Sequence, residues 1–592
     1  MNYPVMRIVV ILCLLCIGGA MFGQKFDNVW PMGARSDVPN PDQDTFNNNF
    51  TLNFDNDTLQ IKKRIDLRGF LYVESSALSD SSGNLLMYTN GCNIYNSKGI
   101  ILPNGDSINH IVDAGPSVWL NQCGGGSGYT TARLSRFIPF FSHHRVFLLH
   151  IAISIEFGIE WRYLLFDQID LINGEWTVVS KNNLLLDQSG CYYDVTKHAN
   201  GRDWWLVSRK VYTHEYKIWL IAPEGIKLNS IQNFPIEYLN DNHASPSFSA
   251  DGSKYIDYSG TTHSLMFDFN RCTGELSNPT EVHHPYCYYS FYATFSPNNR
   301  FIYLTEGEYL YQVDLQNPDT LTNRDTISKW DGLVWGCPFC PTNYFFLQTG
   351  PDGKIYCNST GSSRFIHVIE RPNEKGKACQ FRPRAYKTPF FVQGNLPAFP
   401  YYRLGPIDGS ACDTLGLNNI PIANFRYYPD TLEQHKIKFI DNSSYLPTDW
   451  YWTFGDGSGK TSTEVNPIYT YAKGGVYEVC ETVSNDYGQD TYCRYVRVGT
   501  VATQEELLSS YFSLYPNPAT NQLTIDLNEN MNPEQAYDIK LYDLQGSTRY
   551  KGIMPAYAYL HTIDVQGLAT GMYILELSDR NGKVLRRKFV KE

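Results

Sequence analysis

The sequence predicts an all-β protein, and three observations lead to that prediction. Aromatic residues make up 15% of the 592 residues, including 43 tyrosines, whereas charged residues make up only 18%. Aromatic and β-branched residues favour strands, and Gly, Asn, Asp and Ser fill the turns between them. No amphipathic stretch with a helical period runs for more than a few turns. The length leaves room for several domains.

The first 23 residues have the pattern of a secretory signal peptide. Arg7 supplies a positive charge, an apolar stretch runs from Ile8 to Ile17, and small residues begin at Gly18. That stretch is too short to span a membrane. No small residue stands just before Cys16, which argues against a lipoprotein. We predict that residues 1–23 are removed after Gly23.

A polar turn followed by an apolar strand recurs through residues 24–405. A two-residue turn between alternating runs is a strong hairpin signal, and hairpins every ~40–50 residues are typical of propeller blades. We therefore predict a β-propeller of about seven blades at that spacing. The four clearest copies of the repeat lie at residues 79–88, 247–256, 295–303 and 348–356.

These repeats resemble the WD-type propeller repeats of exported bacterial proteins. The terminal Trp-Asp signature of that family is missing here, so the resemblance implies only the architecture. The Asp-Gly, Asn-Asn and Gly-Asn pairs in the turns have a structural explanation, because such turns require positive φ angles.

A different module follows a predicted linker at residues 406–420. Residues 421–500 resemble a PKD domain, an immunoglobulin-like β-sandwich, and the resemblance implies structural rather than catalytic roles for its motif. Trp452 and Phe454 are two residues apart, so they point to the same face of a strand and belong in the core. Asp456 and Gly457 make the following turn. The complete motif comprises Trp452, Phe454, Gly455, Asp456 and Gly457.

The cysteines favour disulfides. Of the 14 cysteines, two lie in the predicted signal peptide, and an even number in an exported chain indicates disulfides rather than free thiols. Cys480 and Cys493 lie on two strands joined by a short turn, where they fall close to opposite each other. Their bond would contribute about 3 kcal/mol in the chain-entropy model. For Cys337 and Cys340, a structural disulfide or two separate bridges is favoured over a redox or zinc pair.

The last eighty residues contain short alternating runs that follow the motif Tyr515, Pro516, Asn517 and Pro518. After a predicted linker at 501–512, residues 513–592 resemble the type A C-terminal sorting domain of the type IX (Por) secretion system. The resemblance implies export by that machinery across the outer membrane of a Gram-negative bacterium, with release or anchoring at the cell surface. A Lys/Arg-rich strand closes the domain, and its other marks are Tyr515, Pro516, Asn517, Pro518, Gly571 and Tyr573.

The sequence predicts no catalytic residue, no metal and no cofactor. Residues 454–461 nearly spell a phosphate-binding loop, but Phe454 replaces the first glycine and no helix follows. Arg202, Asp203 and Trp205 are weak candidates for a polar, aromatic ligand face, and the favoured alternative is a blade corner bonded to its own backbone. The net charge of −11 argues against a nucleic-acid partner.

Two functions remain open. The first is a secreted or cell-surface binding protein of the adhesion type, with the propeller as recognition head, the PKD module as spacer or binding module, and a glycan or protein as ligand. The alternative is an extracellular polysaccharide-degrading enzyme with its site in the propeller funnel. Convergent carboxylates ~5–10 Å apart would favour the enzyme, and a lining of Tyr, Asn and Ser would favour binding.

Overall fold

The computed structural model confirms the all-β prediction. The part of the chain that it describes contains no α-helix, and its 3₁₀ turns are Phe141–His143 and Gly376–Cys379. The predicted signal peptide and residues 501–510 of the second linker lie outside that part. The described residues are 25–35, 47–54, 59–64, 66–69, 71, 74–110, 123, 135–156, 159–187, 191–210, 213, 215–234, 244–259, 263–283, 291–317, 324–334, 340–392, 396–430, 433, 435–499, 511–527, 531, 535–555, 560–579 and 584–592.

Residues 29–392 form seven antiparallel sheets, each built from consecutive strands. Three sheets come first in the chain: sheet 1 with β1 (Val29–Arg35), β2 (Asn47–Asn53) and β3 (Gln60–Lys63), sheet 2 with β4 (Ser76–Ser79), β5 (Leu85–Thr89) and β6 (Ile94–Asn96), and sheet 3 with β7 (Arg136–Phe140), β8 (Arg145–Glu156), β9 (Ile159–Ile172) and β10 (Glu175–Leu186). Two sheets follow: sheet 4 with β11 (Cys191–Lys197), β12 (Trp204–Lys210), β13 (Glu215–Ala222) and β14 (Gly225–Asn233), and sheet 5 with β15 (Ala244–Phe248), β16 (Lys254–Ser259), β17 (His263–Asn270) and β18 (Glu275–His283). The last two are sheet 6 with β19 (Phe291–Phe295), β20 (Phe301–Glu306), β21 (Tyr309–Asp314) and β22 (Asp325–Lys329), and sheet 7 with β23 (Leu347–Thr349), β24 (Ile355–Cys357), β25 (Ser363–Ile369) and β26 (Phe381–Val392).

Each of these sheets packs against the next one in the chain, mostly through its first strand. β4 contacts β1 and β7, β15 contacts β11 and β19, and β26 of sheet 7 contacts all three strands of sheet 1. The strands β4 and β7 are buried along their whole length, whereas β14 and β22, each the last of its sheet, are largely exposed. Burial is therefore complete along these two first strands and low along these two last strands. That the seven sheets form a closed β-propeller remains a prediction.

The repeated turn is held together by its own side chains. In sheet 5 the Ser249 hydroxyl donates to Asp251 at 2.6 Å and accepts the Lys254 backbone N–H at 2.9 Å. In sheet 6 the Ser296 hydroxyl donates to Asn298 at 2.7 Å and accepts the Phe301 N–H at 2.9 Å. These local bonds fix a turn that the strands alone would not define. They account for the recurring Ser and Asx residues without a ligand.

An ion pair recurs between the second and third strands of four sheets. In each pair, a basic residue at the start of the second strand, or just before it, meets an acidic residue at or near the end of the third strand. Each of these four acidic residues therefore has an ion-pair partner on the neighbouring strand. The pairs are Arg145–Asp170 at 2.7 Å, Lys254–Asp268, Arg300–Asp314 at 2.9 Å and Lys354–Glu370 at 2.8 Å.

Residues 396–405 follow sheet 7 and contact six of the seven sheets; we call them the central segment. Its contacts reach the first strands of sheets 1, 2, 3 and 7, the second strand of sheet 4 and the turn after β17 in sheet 5. Two are ring contacts: Phe399 stacks on Trp30 at 5.7 Å, and Tyr402 packs edge-on against Trp204 at 5.8 Å. The other four are hydrogen bonds: Ser76 Oγ to Ala398 O at 3.4 Å, Tyr402 OH to Phe137 O at 2.8 Å, Phe399 N–H to Gln348 Oε1 at 3.4 Å, and Arg271 Nη2 to Gly405 O at 2.6 Å.

The PKD-like module is a two-sheet sandwich. Its core contains Trp452, Phe425, Phe439 and Tyr471 among other buried side chains. One sheet has the order β27 (Phe425–Pro429), β28 (Lys436–Asp441), β31 (Ile468–Thr470), and the other β30 (Thr461–Ser462), β29 (Asp449–Thr453), β32 (Gly475–Asn485), β33 (Gly488–Val498).

The C-terminal module is a second, smaller sandwich with its own core, which includes Phe512, Leu541 and Leu575. Its three-stranded sheet has the order β34 (Phe512–Tyr515), β35 (Gln522–Leu527), β38 (Leu560–Asp564), and its four-stranded sheet β37 (Thr548–Met554), β36 (Tyr537–Asp543), β39 (Gly571–Ser578), β40 (Val584–Lys591).

The PKD-like module is fastened to sheet 7. Arg426 donates to the Asp352 carbonyl at 2.9 Å, Asn442 to the Pro351 carbonyl at 3.1 Å, and Tyr428 to the Glu370 carbonyl at 2.9 Å. Residues 406–420, predicted to be a linker, are also tied down. A disulfide joins Cys412 to Cys272 beside sheet 5, and the Ile407 N–H donates to the Ala199 carbonyl at 2.8 Å.

The central segment yields a first prediction. Tyr402→Phe removes only the hydrogen bond to Phe137 and should lower the free energy of unfolding of the seven-sheet region by about 1 kcal/mol. Tyr402→Ala also empties a fully buried ring site and should cost about 3–5 kcal/mol. Urea unfolding of the full chain followed by tryptophan fluorescence measures both changes.

The matched control for this prediction is Tyr495→Ala, because that ring is 69% exposed. Its effect should stay within about 0.5 kcal/mol. Equal losses of unfolding free energy for Tyr402→Ala and Tyr495→Ala would show that the central segment does not stabilise the seven-sheet region.

Candidate functional site

A cavity of about 120 Å³ lies where the central segment faces the first strands of sheets 4 to 7. β11, β15, β19 and β23 each contribute side chains to it, and Phe399, Pro400, Tyr401 and Arg403 of the central segment also line it. Concave sites at the meeting point of several elements are the usual place for ligands. The cavity is therefore the candidate functional site of this region.

Among the described residues, two carboxylates line the cavity, and each lies beside an arginine. Asp27 receives two hydrogen bonds from Arg403, at 2.9 and 2.5 Å. Asp194 lies 3.6 Å from Arg136 and also accepts the Phe248 backbone N–H at 2.9 Å. Charges that are paired and hydrogen-bonded in this way serve to fix structure. The four charged groups of these two pairs therefore contribute no net charge to the lining.

The rest of the lining is uncharged and combines polar, aromatic and aliphatic side chains. Burial raises the pKa of the Tyr401 phenol above its ordinary value, so this hydroxyl stays protonated at neutral pH. A protonated hydroxyl both donates and accepts hydrogen bonds. Other polar and aromatic contributors include Thr196, Ser245, Ser247, Thr294, Gln348, Thr349, Tyr192 and Tyr292.

The candidate ligand face at Arg202, Asp203 and Trp205 is occupied by contacts of its own turn. Arg202 donates to the Asp203 carboxylate at 2.7 Å, and the Asn200 side chain accepts the backbone N–H groups of both residues. The Trp205 indole is 2% exposed and donates to the Arg271 carbonyl at 2.7 Å. These contacts are those of a corner between strands, the favoured alternative in the sequence, and the three residues do not line the cavity.

The motif of the PKD-like module builds its core and one turn. Trp452 is fully buried and donates to the Glu464 carbonyl at 3.0 Å, and Phe454 stacks on Tyr469 at 3.9 Å. Gly455 has φ +69°, and a Cβ there would lie 2.1 Å from the Glu478 carbonyl oxygen, so only glycine fits. Asp456 accepts the Tyr469 hydroxyl at 2.6 Å, and Gly457 continues the turn at φ +74°.

Disulfides are present, as the cysteine count predicts. Cys480 and Cys493 are directly opposite in β32 and β33 and are bonded, with 4.0 Å between their Cα atoms. Two further bonds are Cys92–Cys123 and Cys272–Cys412. Cys340 is also disulfide-bonded, and Cys337 lies outside the described residues. Cys357 and Cys379 are free and buried.

The residues of the sorting motif meet although they are far apart in the sequence. The Asn517 side chain, between Pro516 and Pro518, accepts the Val590 N–H of the last strand at 2.9 Å. Gly571 opens β39, and Tyr573 stacks on Phe589 of the last strand at 5.6 Å. Tyr515 ends β34 and is 43% exposed. The motif thus joins the start of the module to its final strand.

Comparison with known families assigns the two C-terminal modules. Residues 418–499 match the PKD domain family, and residues 513–592 match the secretion system C-terminal sorting domain family. The second match indicates secretion and implies contact with the type IX machinery. Among the described residues, no helix is long and apolar enough to cross a membrane, and no three His, Cys, Asp or Glu side chains are grouped to hold a metal ion.

Known relatives share the PKD domain. The chain is 31% identical over 98 residues to the pre-pro-metalloprotease PrtV of Vibrio cholerae, an alignment that spans 16% of this chain and 10% of that protein. The crystal structure of the PKD1 domain of PrtV is 32% identical, covers 14% of this chain and 99% of the domain, and gives a TM-score of 0.12. The PKD1 domain of Vibrio anguillarum Epp is 28% identical over 14% of this chain and 95% of the domain, with a TM-score of 0.12.

A buried acid in the PKD domain yields the second prediction. Glu481 is fully buried and accepts a hydrogen bond from the Ser443 hydroxyl at 3.3 Å. Burial, followed by the neighbouring Asp441 carboxylate, raises the pKa of Glu481 from 4.5 to about 10. The folded domain therefore keeps a proton that the unfolded chain releases, and its stability should fall as the pH rises from 4.5 towards 10.

The glutamine of Glu481→Gln is neutral at every pH, so this substitution removes the loss of stability at high pH. The variant domain should melt at a higher temperature than wild type at pH 8, and the difference should vanish near pH 4, as followed by calorimetry. Glu478→Gln, on the exposed face of the same strand, is the matched control. A melting temperature of the wild-type PKD domain that does not change between pH 5 and 8 would refute the raised pKa of Glu481.

Proposed function

We propose that residues 24–405 form a seven-bladed β-propeller that binds a neutral, hydroxyl-bearing ligand outside the cell without transforming it. The propeller is supported by the packing order of the seven sheets, in which each contacts its successor and the seventh contacts the first. The central segment supports it too, because one ten-residue stretch reaches first strands from four sheets only if those strands surround it.

The cavity lining is the observation on which the binding function rests. A glycosidase of the usual kind needs one carboxylic acid to protonate the leaving group and a second carboxylate as base or nucleophile. Asp27 instead accepts two hydrogen bonds from Arg403, and Asp194 lies 3.6 Å from Arg136 and accepts the Phe248 backbone N–H. Such an arrangement supports recognition rather than acid–base chemistry.

The chemistry of the lining favours a neutral saccharide as the ligand. Serine, threonine, glutamine and tyrosine side chains can exchange hydrogen bonds with sugar hydroxyls, and aromatic rings such as Tyr292 can pack on the apolar face of a sugar ring. A charged group on the ligand would lack an ion-pair partner in the cavity, because Arg136 and Arg403 are each already paired with an aspartate. Peptide binding is the competing outcome that the experiment must separate.

The PKD domain acts in this proposal as a fixed support for the propeller. A spacer with free movement would have few contacts across its linker. Here the linker is bonded through Cys412, and Arg426 and Tyr428 attach the domain to sheet 7. The head and its support would then reach the cell exterior as one unit.

The binding site yields the third prediction. Thr294→Val and Thr349→Val keep the side-chain shape and remove one hydroxyl each, so each should weaken saccharide binding by about three- to tenfold. Isothermal titration of the full chain against neutral oligosaccharides, uronic-acid oligosaccharides and peptides identifies the class. Thr461→Val, in the PKD domain, should leave the affinity unchanged.

The same samples decide between binding and catalysis. Reducing ends released from a polysaccharide by the purified chain would overturn the binding proposal in favour of the enzyme. Tight binding to peptides alone, unaffected by the two valine variants, would refute the saccharide assignment.

Export yields the fourth prediction. Deleting residues 513–592 removes the sorting domain with its own core, so the remainder should fold but stay in the periplasm of a host that has the type IX machinery. Fractionation and immunoblotting measure the distribution, and a protease-protection assay checks the fold. Normal amounts of the truncated chain outside the cell would contradict the export route.

A further inference from the structure

The four-stranded sheet of the sorting domain has an outer face with an unusual composition for this acidic chain. Lys551, Lys540, Glu576 and Arg586 are successive partners across β37, β36, β39 and β40, so they form one row over the whole sheet. Lys588 lies two residues beyond Arg586 on the same face. A row of basic residues thus crosses a sheet in a protein whose net charge is −11.

The single acid in that row lies beneath its neighbours. Glu576 is 4% exposed, and Arg586 donates to it at 2.7 Å while Lys540 lies 3.8 Å away. Solvent therefore meets the basic groups, with Arg586 64% exposed. The remaining acid on this face, Asp538, stands at its edge opposite Ser578 and Ile553.

Apolar side chains flank the basic row. Ile553 is 62% exposed, Val584 46% and Met572 43%. A basic row kept only for solubility would not need exposed aliphatic groups beside it, and exposed apolar groups rimmed by charge mark interaction sites. We call this surface, formed by Lys551, Arg586, Lys588, Ile553, Met572 and Val584, the basic face.

The opposite sheet of the domain faces the rest of the protein. Asp526 in β35 accepts a hydrogen bond from Lys387 in β26 at 2.7 Å, and the Leu527 carbonyl lies 3.3 Å from the same ammonium group. Asp526 and Tyr515 are also within electrostatic range of Arg364. The sorting domain therefore meets sheet 7 with its three-stranded sheet, and the basic face points away from that contact.

We propose that the basic face is the surface through which the sorting domain docks on the secretion machinery, and that the complementary surface is an acidic protein patch with apolar groups beside it. The charge complementarity selects the partner, because opposite potentials steer encounter and like charges exclude wrong partners. The proposal goes beyond ligand binding by the propeller and is independent of it.

The test is a charge reversal within the full chain. Lys551→Glu with Lys588→Glu alters two exposed side chains of the face and leaves the Glu576 pairs intact. In a host with the type IX machinery, the exported fraction should drop by roughly tenfold or more, because like charges then oppose each other across the interface. The protein should accumulate, folded, in the periplasm.

Three matched variants keep the test decisive. Lys460→Glu with Lys473→Glu makes the same charge change on the exposed surface of the PKD domain and should export normally. Lys551→Arg with Lys588→Arg keeps the charge and should also export normally. Ile553→Ser with Val584→Ser should reduce export through the apolar component. Unchanged melting temperatures of the purified chains show that the domain is intact.

Two results would overturn the proposal. One is wild-type export of the charge-reversed chain. The other is normal crossing of the outer membrane followed by loss from the cell surface, which would assign the face to an anionic lipid instead of the machinery. Failure of the residue 513–592 deletion to block export would instead refute the export route itself, so the two failures are distinguishable.

Discussion

The central segment, residues 396–405, is the constraint on which the seven-sheet region depends. The strands and turns that meet at this segment bring backbone and side-chain polar groups into a buried place, and such groups need partners. The segment supplies them: its carbonyls accept from Ser76 and Arg271, and Tyr402 donates to the Phe137 carbonyl. Sheets formed by residues 29–392 thus depend on a stretch that follows them in the chain.

The same segment sets the character of the cavity. Phe399, Tyr401 and Arg403 are wall residues, and the Arg403–Asp27 pair fixes one wall before any ligand arrives. A site whose polar groups are already bonded in place spends less free energy on ordering when it binds. Pairing of both acids also leaves hydroxyl and aromatic groups as the ones that can discriminate between ligands. Specificity here would come from hydrogen-bond geometry more than from charge.

Sequence reasoning succeeded where the determinants are local. The Ser–Asx turns, the burial of Trp452 and the facing of Cys480 and Cys493 depend on residues a few positions apart, and the sequence shows those spacings. The cavity escaped prediction because Asp27 and Arg403 are 376 residues apart and neither belongs to a motif. Arg202, Asp203 and Trp205 attracted attention by composition, yet composition does not reveal that Asn200 and the Arg271 carbonyl already bind them. Glu481 was visible in principle, because the alternation of β32 places it between the buried Val479 and Val483.

The attachment of the PKD domain shows how orientation is kept despite a modest interface. Arg426, Asn442 and Tyr428 all donate to backbone carbonyls of sheet 7. Carbonyl acceptors are present whatever side chains the turns carry, so this contact tolerates sequence change in the repeats. The disulfide from Cys412 to Cys272 adds a covalent tie near sheet 5, at a distance along the chain from the sheet 7 contacts. Two attachments at separate sheets prevent rotation about either one, so the PKD domain is held in one orientation on the seven-sheet region.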